Sequence, residues 1–367
     1  MKPRRLSVTL PFLPPLGDYA GMLEGVWERN QLTNQGPLAQ KLEEEIAAKL
    51  GIDHPVHTVA NGGLGIQIAL KALGIKGKVI TSPFSYVATT SCPVWGGNTP
   101  VFADIEEDSL GINPASVEAS IDSDCEAILA THVFGNACDV AALEKIASHH
   151  GLALIFDSAH AFGSRYLERS LVDYGDISIV STHATKVFHT VEGGFVTGRD
   201  REALEKVEWM RRFGHDGDEQ FHGIAINAKM SELHAAMGLA MMPHFEEVLQ
   251  ARASICDRYL AALQNLDTHS PAMKLRDGLE WNHAYFPVLF ESEPALCERL
   301  LAMNNAGVYP RRYFHPSLDQ ALGISAPYPL PVSHDISSRI LCLPLHHQMT
   351  VDDADLVIEL LTASPRS

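Results

Sequence analysis

The sequence predicts an α/β protein with a mostly parallel sheet in a large first domain and a smaller α+β domain behind it. Two features carry this. From about Leu50 to Gly198, short apolar runs alternate with helical patterns, as buried parallel strands and their crossover helices do. From Ser231 to Leu263 the texture becomes one long helical stretch, and a shorter second set of strands and helices follows.

The elements follow in order. Apolar residues at helical spacing predict a helix over Gly65 to Leu73, after a strand that enters a Gly-rich turn. Val79-Ile80, Pro100 to Ala103, Ala127 to Ala130, Leu152 to Phe156 and Ile177 to Val180 are too short and too apolar for anything but buried strands. Helical patterns at Val117 to Ile121 and Val140 to His149 lie between them. In the connector, Pro243 predicts a kink, because proline removes a helix hydrogen bond. Beyond it come a strand over Tyr285 to Phe290, a helix over Pro294 to Asn304, a strand over Ile340 to Leu345 and a helix over Val351 to Leu361. This divides the chain into a large domain at 1–235 and a connecting helix with a small domain at 236–367.

Composition narrows the function. The 367 residues hold 45 acidic and 28 basic side chains, a formal net charge of −17. That argues against non-specific binding to nucleic acid or an anionic membrane, since both need a cationic face. Pro11, Pro14 and Pro15 interrupt the apolar stretch after the basic start, so no secretory signal is read there. No run of about 18 apolar residues suggests a membrane span. The six cysteines are scattered and read as free thiols, and a cytoplasmic protein is expected.

In open α/β sheets, ligands bind beyond the carboxyl ends of the strands. The polar residues that end the apolar runs are Asn61, Ser82, His132, Asp157 with His160, and Ser181 with His183 and Lys186. HTVANGGLGIQIALKALG (57–74) takes a strand through a Gly-rich turn into a helix. Such a turn is either tight geometry alone or an anion cradle made of backbone N–H groups and the helix dipole. Ile68 stands where GxGxxG needs its third glycine, so it is no dinucleotide fingerprint. Asp157 in LALIFDSAHAFG is either a helix N-cap or the partner of a cationic cofactor atom. Lys186, just before Gly193-Gly194, is either a solvated charge or a nucleophile whose pKa its setting lowers. His183 and His189 lack ligand spacing, and no metal is expected.

Together these motifs resemble a known family. Asp157-Ser-Ala-His160, Ser181-Thr-His-Ala-Thr-Lys186 and Glu192-Gly-Gly194 are similar to the sugar aminotransferases of the DegT/DnrJ/EryC1/StrS family, which are pyridoxal-phosphate (PLP) enzymes of fold type I. PFLPPL, LTNQGPLAQKLE, ITSPFSYVAT, PVFADIEEDSLGINP, VFGNACDV, GIAINAKMSELHAAMGLA, YPRRYFHPSL and ILCLPL extend the resemblance over nearly the whole chain. FLPPL, HATKVFHTVEGG and RRYFHPSL most resemble the group that makes dTDP-4-amino-4,6-dideoxyhexoses.

The resemblance implies a role for each matched residue. Lys186 would carry PLP covalently, Asp157 would pair with the pyridinium nitrogen, and His160 would lie near the phenolic oxygen. Tyr86 would stack on the ring, while Asn61, Gly62, Gly63, Leu64, Ser181 and His183 would contact the cofactor and its phosphate. Asn227 would reach the phosphate across a homodimer with shared active sites. Lys229, Arg311, Arg312, Tyr313 and His315 would face a nucleotide-sugar substrate, with L-glutamate as donor and PLP and its aminated form PMP as the cofactor states. Two positions depart from the family pattern: Gly63 replaces the usual threonine of the turn, and Thr182 replaces a usual phenylalanine. The expected reaction is C4 amination of dTDP-4-keto-6-deoxy-D-glucose. The alternatives are C3 amination of a 3-keto-6-deoxyhexose, a PLP-binding regulatory protein without turnover, and a sugar-binding module without cofactor. Intact Lys186, Asp157 and His160 count against the last two.

Overall fold

A computed structural model of the chain describes residues 5–263 and 269–363. Residues 1–4, which open the segment read against a secretory signal, and residues 264–268 and 364–367, which fall in the expected small domain, lie outside the described residues.

Seven strands form the central sheet: β1 (His57–Val59), β2 (Lys78–Thr81), β3 (Thr99–Phe102), β4 (Cys125–Thr131), β5 (Ala153–Asp157), β6 (Ile177–Ser181) and β7 (Gly194–Thr197). Their spatial order is β1-β7-β6-β5-β4-β2-β3. All neighbours run parallel except β7, which is antiparallel to both β6 and β1. The sequence pattern did not mark β7. It reverses because the link from β6 holds no helix, and a parallel return needs a crossover.

The helices that surround or lead from this sheet include α1 (Leu16–Arg29), α2 (Pro37–Leu50), α3 (Gly62–Ala72), α4 (Ala88–Trp95), α5 (Val140–His150), α6 (Arg201–Met210), α7 (Glu232–Met241) and α8 (Phe245–Leu263). Strand side chains alternate between two apolar layers. Ile128, Ala130, Leu154, Phe156 and Val180 pack with α2, α5 and α7, whereas Ala127, Leu129, Ile155 and Ile179 pack with α3 and α6. The expected long connector is two helices, broken at Pro243 by the 3-10 turn Met242–His244.

A second core follows. Strands β8 (His269–Pro271), β9 (Phe286–Phe290) and β10 (Ile340–Leu343) form an antiparallel sheet, with α9 (Glu293–Asn305), α10 (Pro331–Arg339) and α11 (Val351–Thr362) around it. Helix α8 serves both cores: Phe245 and Val248 pack in the first, and Ile255, Cys256, Tyr259 and Leu263 in the second. The chain's start also joins the second core. Leu6–Ser7 pairs in parallel with Val308–Tyr309, and Leu6 is buried among its apolar residues.

Fully buried Glu232 shows how distant segments are tied together. Its carboxylate accepts the N–H groups of Leu38 and Ala39 at 3.0 and 2.9 Å, capping α2, whose own N-cap Gly36 offers no side chain. A buried anion at a helix N-terminus is satisfied by free N–H groups and by the helix dipole.

Candidate active site

The strand ends converge on a cleft of about 300 Å³. Asn61, Gly62 and Gly63 line one end, Asp157 and His160 the floor, and Ser181, His183 and Lys186 the wall contributed by the β6–β7 link. Tyr86 lies at its mouth, more than half exposed. Tyr285, Arg311, Tyr313 and Phe314 close the cleft from the carboxy-terminal part of the chain.

One end is built for an anion. Asn61 caps α3, its Oδ1 accepting the Leu64 N–H at 2.9 Å, and Gly65 N–H bonds the Asn61 carbonyl at 3.2 Å. By position, the N–H groups of Gly62 and Gly63 are left without intrahelical acceptors. A Cβ on Gly62 would stand 3.1 Å from the Ser181 Cβ, a tight contact that glycine avoids where β6 approaches the helix start. At Gly63 the corresponding space is taken by Cys92, whose Sγ would lie 3.1 Å from an added Cβ.

The floor holds a buried carboxylate. Asp157 ends β5, paired in register with Thr131 on one side and Ile179 on the other, and is only 6% exposed. Thr89 Oγ1 donates to its Oδ2 at 2.6 Å, and the Ala159 N–H to its Oδ1 at 3.1 Å. Burial pushes its pKa up; the Thr89 bond, the Ala159 amide and the Lys186 charge oppose this. Lys186 is the counterpart. Desolvation lowers its pKa to about 8 against the pull of Asp157, so an appreciable fraction of the amine is neutral near pH 7. Its backbone N–H bonds the His183 carbonyl at 2.8 Å, which shapes the link that carries it.

His160 is fixed by its surroundings. The Phe134 N–H donates to its Nδ1 at 3.1 Å, so the neutral ring carries its proton on Nε2. The Phe134 and Phe314 rings lie parallel to it at 6.1 and 6.2 Å, and Tyr285 leans on it at 4.8 Å. Burial, then the Lys186 charge, holds its pKa well below the ordinary value, and the ring is neutral. His183 Nδ1 accepts the Thr185 N–H at 3.2 Å, and its Nε2 lies 3.6 Å from Glu192.

Other expected residues lie elsewhere. Leu64 packs at the edge of the α3 core layer. Asn227 is exposed on its own chain, outside the lining of this cleft, and accepts a 2.7 Å bond from Lys229 Nζ, which rests over the Phe213 ring. Arg311 lines the cleft, but Arg312 turns away to Glu293 and to the Ser338 carbonyl at 2.5 and 2.7 Å. His315 binds the Ser337 carbonyl at 3.1 Å. Two strand-end candidates also leave the list. Ser82 accepts the Phe84 N–H at 3.0 Å. Thr131 faces the cleft, so His132 beside it points away, stacked on Phe156 at 4.3 Å.

Sequence reasoning missed Ser85, Thr89, Thr131, Tyr285 and Phe314. The strand-end rule reaches Thr131 once β4 is extended by one residue. Thr89 gives no periodic signal.

A carboxylate, an amine of lowered pKa and a glycine-lined anion cradle share one cleft. This set fits a phosphorylated pyridine aldehyde at both of its charged ends and at its reactive carbon. The chain is similar to known proteins over nearly its whole length. The profile of the DegT/DnrJ/EryC1/StrS aminotransferase family matches residues 18–362. The chain is 36% identical, over 96% of its length and 97% of the relative's, to a dTDP-4-amino-4,6-dideoxy-D-glucose transaminase of Shigella dysenteriae. It is 32% identical to an Escherichia coli protein of the same name, over 98% of this chain and 99% of that one. Among solved structures, DesI, crystallised in the presence of its TDP-sugar product, superposes with a TM-score of 0.92 at 31% identity, covering 97% of this chain and 92% of that one.

Proposed function

The chain belongs to the DegT/DnrJ/EryC1/StrS aminotransferase family, and from that premise we propose that it uses PLP to move an amino group from L-glutamate to C4 of dTDP-4-keto-6-deoxy-D-glucose. The observation that carries this is the meeting of Lys186, Asp157 and the α3 N-terminus in one cleft. The names of the Shigella and Escherichia relatives support the sugar and the carbon.

When bound, PLP supplies an electron sink for the negative charge that develops at the donor's α-carbon. The residues supply the rest. Gly62 and Gly63 N–H groups, with Ser181, hold the phosphate dianion at the positive end of α3. Asp157, its oxygens held by Thr89 and the Ala159 amide, would accept the ring N–H in a charge-assisted bond worth roughly 1.5–3 kcal/mol. His160, its Nε2–H free to donate, would face the phenolic oxygen, and Tyr86 would cover the ring face. Lys186 would hold the cofactor through its amine and would serve as the base that moves a proton from the donor's α-carbon, tasks suited by a pKa near 8.

The substrate's diphosphate needs a cation in this acidic protein. Arg311 is the arginine that faces the cleft, beside Tyr313. Lys229 and Asn227 lie off their own cleft and act, in this reading, in the cleft of a second copy. Fully exposed Ile224 and half-exposed Phe213, close to Asn227 along the chain, give that copy apolar surface to cover.

The test is direct. Protein loaded with PLP and L-glutamate should aminate dTDP-4-keto-6-deoxy-D-glucose, and NMR of the product should place the nitrogen at C4. Arg311→Ala should raise KM for the nucleotide sugar while leaving the glutamate half-reaction near wild type. An amine at C3, or turnover confined to amino-acid and keto-acid pairs, would overturn the assignment.

A further inference from the structure

Three buried hydroxyls stand in file behind Asp157, and the roles above use none of them. Thr131 ends β4, Ser85 follows β2 and Thr89 opens α4, with Thr89 fully buried. Thr89 Oγ1 is 2.6 Å from Asp157 Oδ2, Ser85 Oγ is 2.5 Å from Thr89 Oγ1, and Thr131 Oγ1 is 3.5 Å from Ser85 Oγ.

Counting protons fixes the direction of the chain. An ionised carboxylate only accepts, so the single Thr89 proton is committed to Asp157. The Thr89 oxygen must then accept from Ser85, whose oxygen lies 3.5 Å from Thr131 Oγ1, at the outer limit of a hydrogen bond. Hydrogen bonds aligned this way polarise and strengthen one another in a low-dielectric interior. The Ala159 amide holds the other oxygen at 3.1 Å, so both arms of the carboxylate are clamped and its plane is set. Thr89 lies in the first turn of α4, whose positive end adds to the same effect.

We propose that Thr89, backed by Ser85 and Thr131, is a positioning residue that holds Asp157 as an oriented anion for the ring nitrogen of the bound cofactor. This rests on the PLP reading given above. Without the Thr89 donor, a carboxyl in this buried place takes up a proton more readily, and a carboxylic acid is a poor acceptor for a ring N–H. The effect is specific to the nitrogen: among the described residues the Thr89 hydroxyl bonds Asp157 and Ser85, not the phosphate cradle or Lys186.

Binding to the PLP-free protein tests this without recourse to turnover. Two compounds are titrated: PLP, and its carbocyclic analogue in which C–H replaces the ring nitrogen. Thr89→Val keeps the shape and deletes the hydroxyl, and should weaken PLP roughly tenfold, the scale of one charged hydrogen bond. The analogue should change by less than about twofold, and Thr89→Ser should bring PLP affinity back to within about threefold of wild type. Equal losses for both compounds would mark a merely structural role and overturn the proposal, as would unchanged PLP affinity. Should Thr89→Val not fold, Ser85→Ala must show the same preference for PLP in weaker form, roughly threefold, and its absence is equally decisive. Wild-type protein that binds neither compound would remove the PLP reading itself; wild-type binding with an insensitive Thr89→Val would remove this inference alone.

Discussion

Asn282 joins the carboxy-terminal part of the chain to the floor of the active site, and its removal should be costly. The residue is 1% exposed. Its Nδ2 donates to the carbonyls of His160 and Phe162 at 2.7 and 2.9 Å, and its Oδ1 accepts the Ala284 N–H at 3.1 Å. Beside it, Trp281 Nε1 donates to the Phe134 carbonyl at 2.8 Å, and Arg252 binds the carbonyls of His283 and Ala284 at 2.9 and 2.5 Å. Asn282→Ala breaks three bonds and strands two carbonyls and one amide in a closed space. Three bonds at about 1–1.5 kcal/mol, with part of the desolvation added, give a loss of about 3–5 kcal/mol. Asn282→Asp keeps the acceptor for Ala284 but sets a carboxylate against two carbonyls, and should lose at least as much. Urea unfolding of the PLP-free protein reads the change as a lower midpoint at unchanged slope. A loss below about 1 kcal/mol for Asn282→Ala would refute the reasoning, because it would mean that these bonds do not bind the two parts together.

Two further outcomes are expected. Lys186 titrates near pH 8 in the fold against 10.5 for an ordinary lysine, so below pH 8 the folded protein bears the whole penalty of a buried charge, and stability recovers as pH rises from 8 toward 10.5. Lys186→Met in the PLP-free protein should therefore be more stable than wild type at pH 7, by about 1–2 kcal/mol once solvent reaching the half-buried amine is allowed for, and the advantage should fade by about pH 10; a pH-independent difference in unfolding free energy would contradict this. Mixing Lys186→Ala with Asn227→Ala subunits should restore about a quarter of wild-type activity, because half the dimers are mixed and each has one intact site if Asn227 works across the interface. No recovery after verified subunit exchange would rule that out.

What the sequence revealed, and what it hid, divides along a physical line. The parallel strands were legible because strands buried on both faces must be short and apolar, and Asn61, Asp157 and Ser181 at or just past their ends line one cleft at the edge of the sheet. β7 was not, because direction depends on how the link folds and not on composition. Arg311 and Arg312 are adjacent and chemically identical, and which of them faces the cleft goes with remote partners: the backbone pairing of Arg311 with Cys342, and the bonds of Arg312 to Glu293 and Ser338. Hidden residues such as Thr89 and Asn282 share one property: they serve partners remote in the chain. Thr89 meets Asp157 across 68 positions, and Asn282 meets His160 across 122. A buried polar side chain reads as an anomaly until its partner is known, since burial without one would cost more than the fold can bear. Sequence motifs therefore point to groups that touch ligand. The groups that hold those in place are chosen by topology: Asp157 lies between β4 and β6, within reach of the first turn of α4, and a hydroxyl there can serve a carboxylate that the motif alone leaves exposed to desolvation.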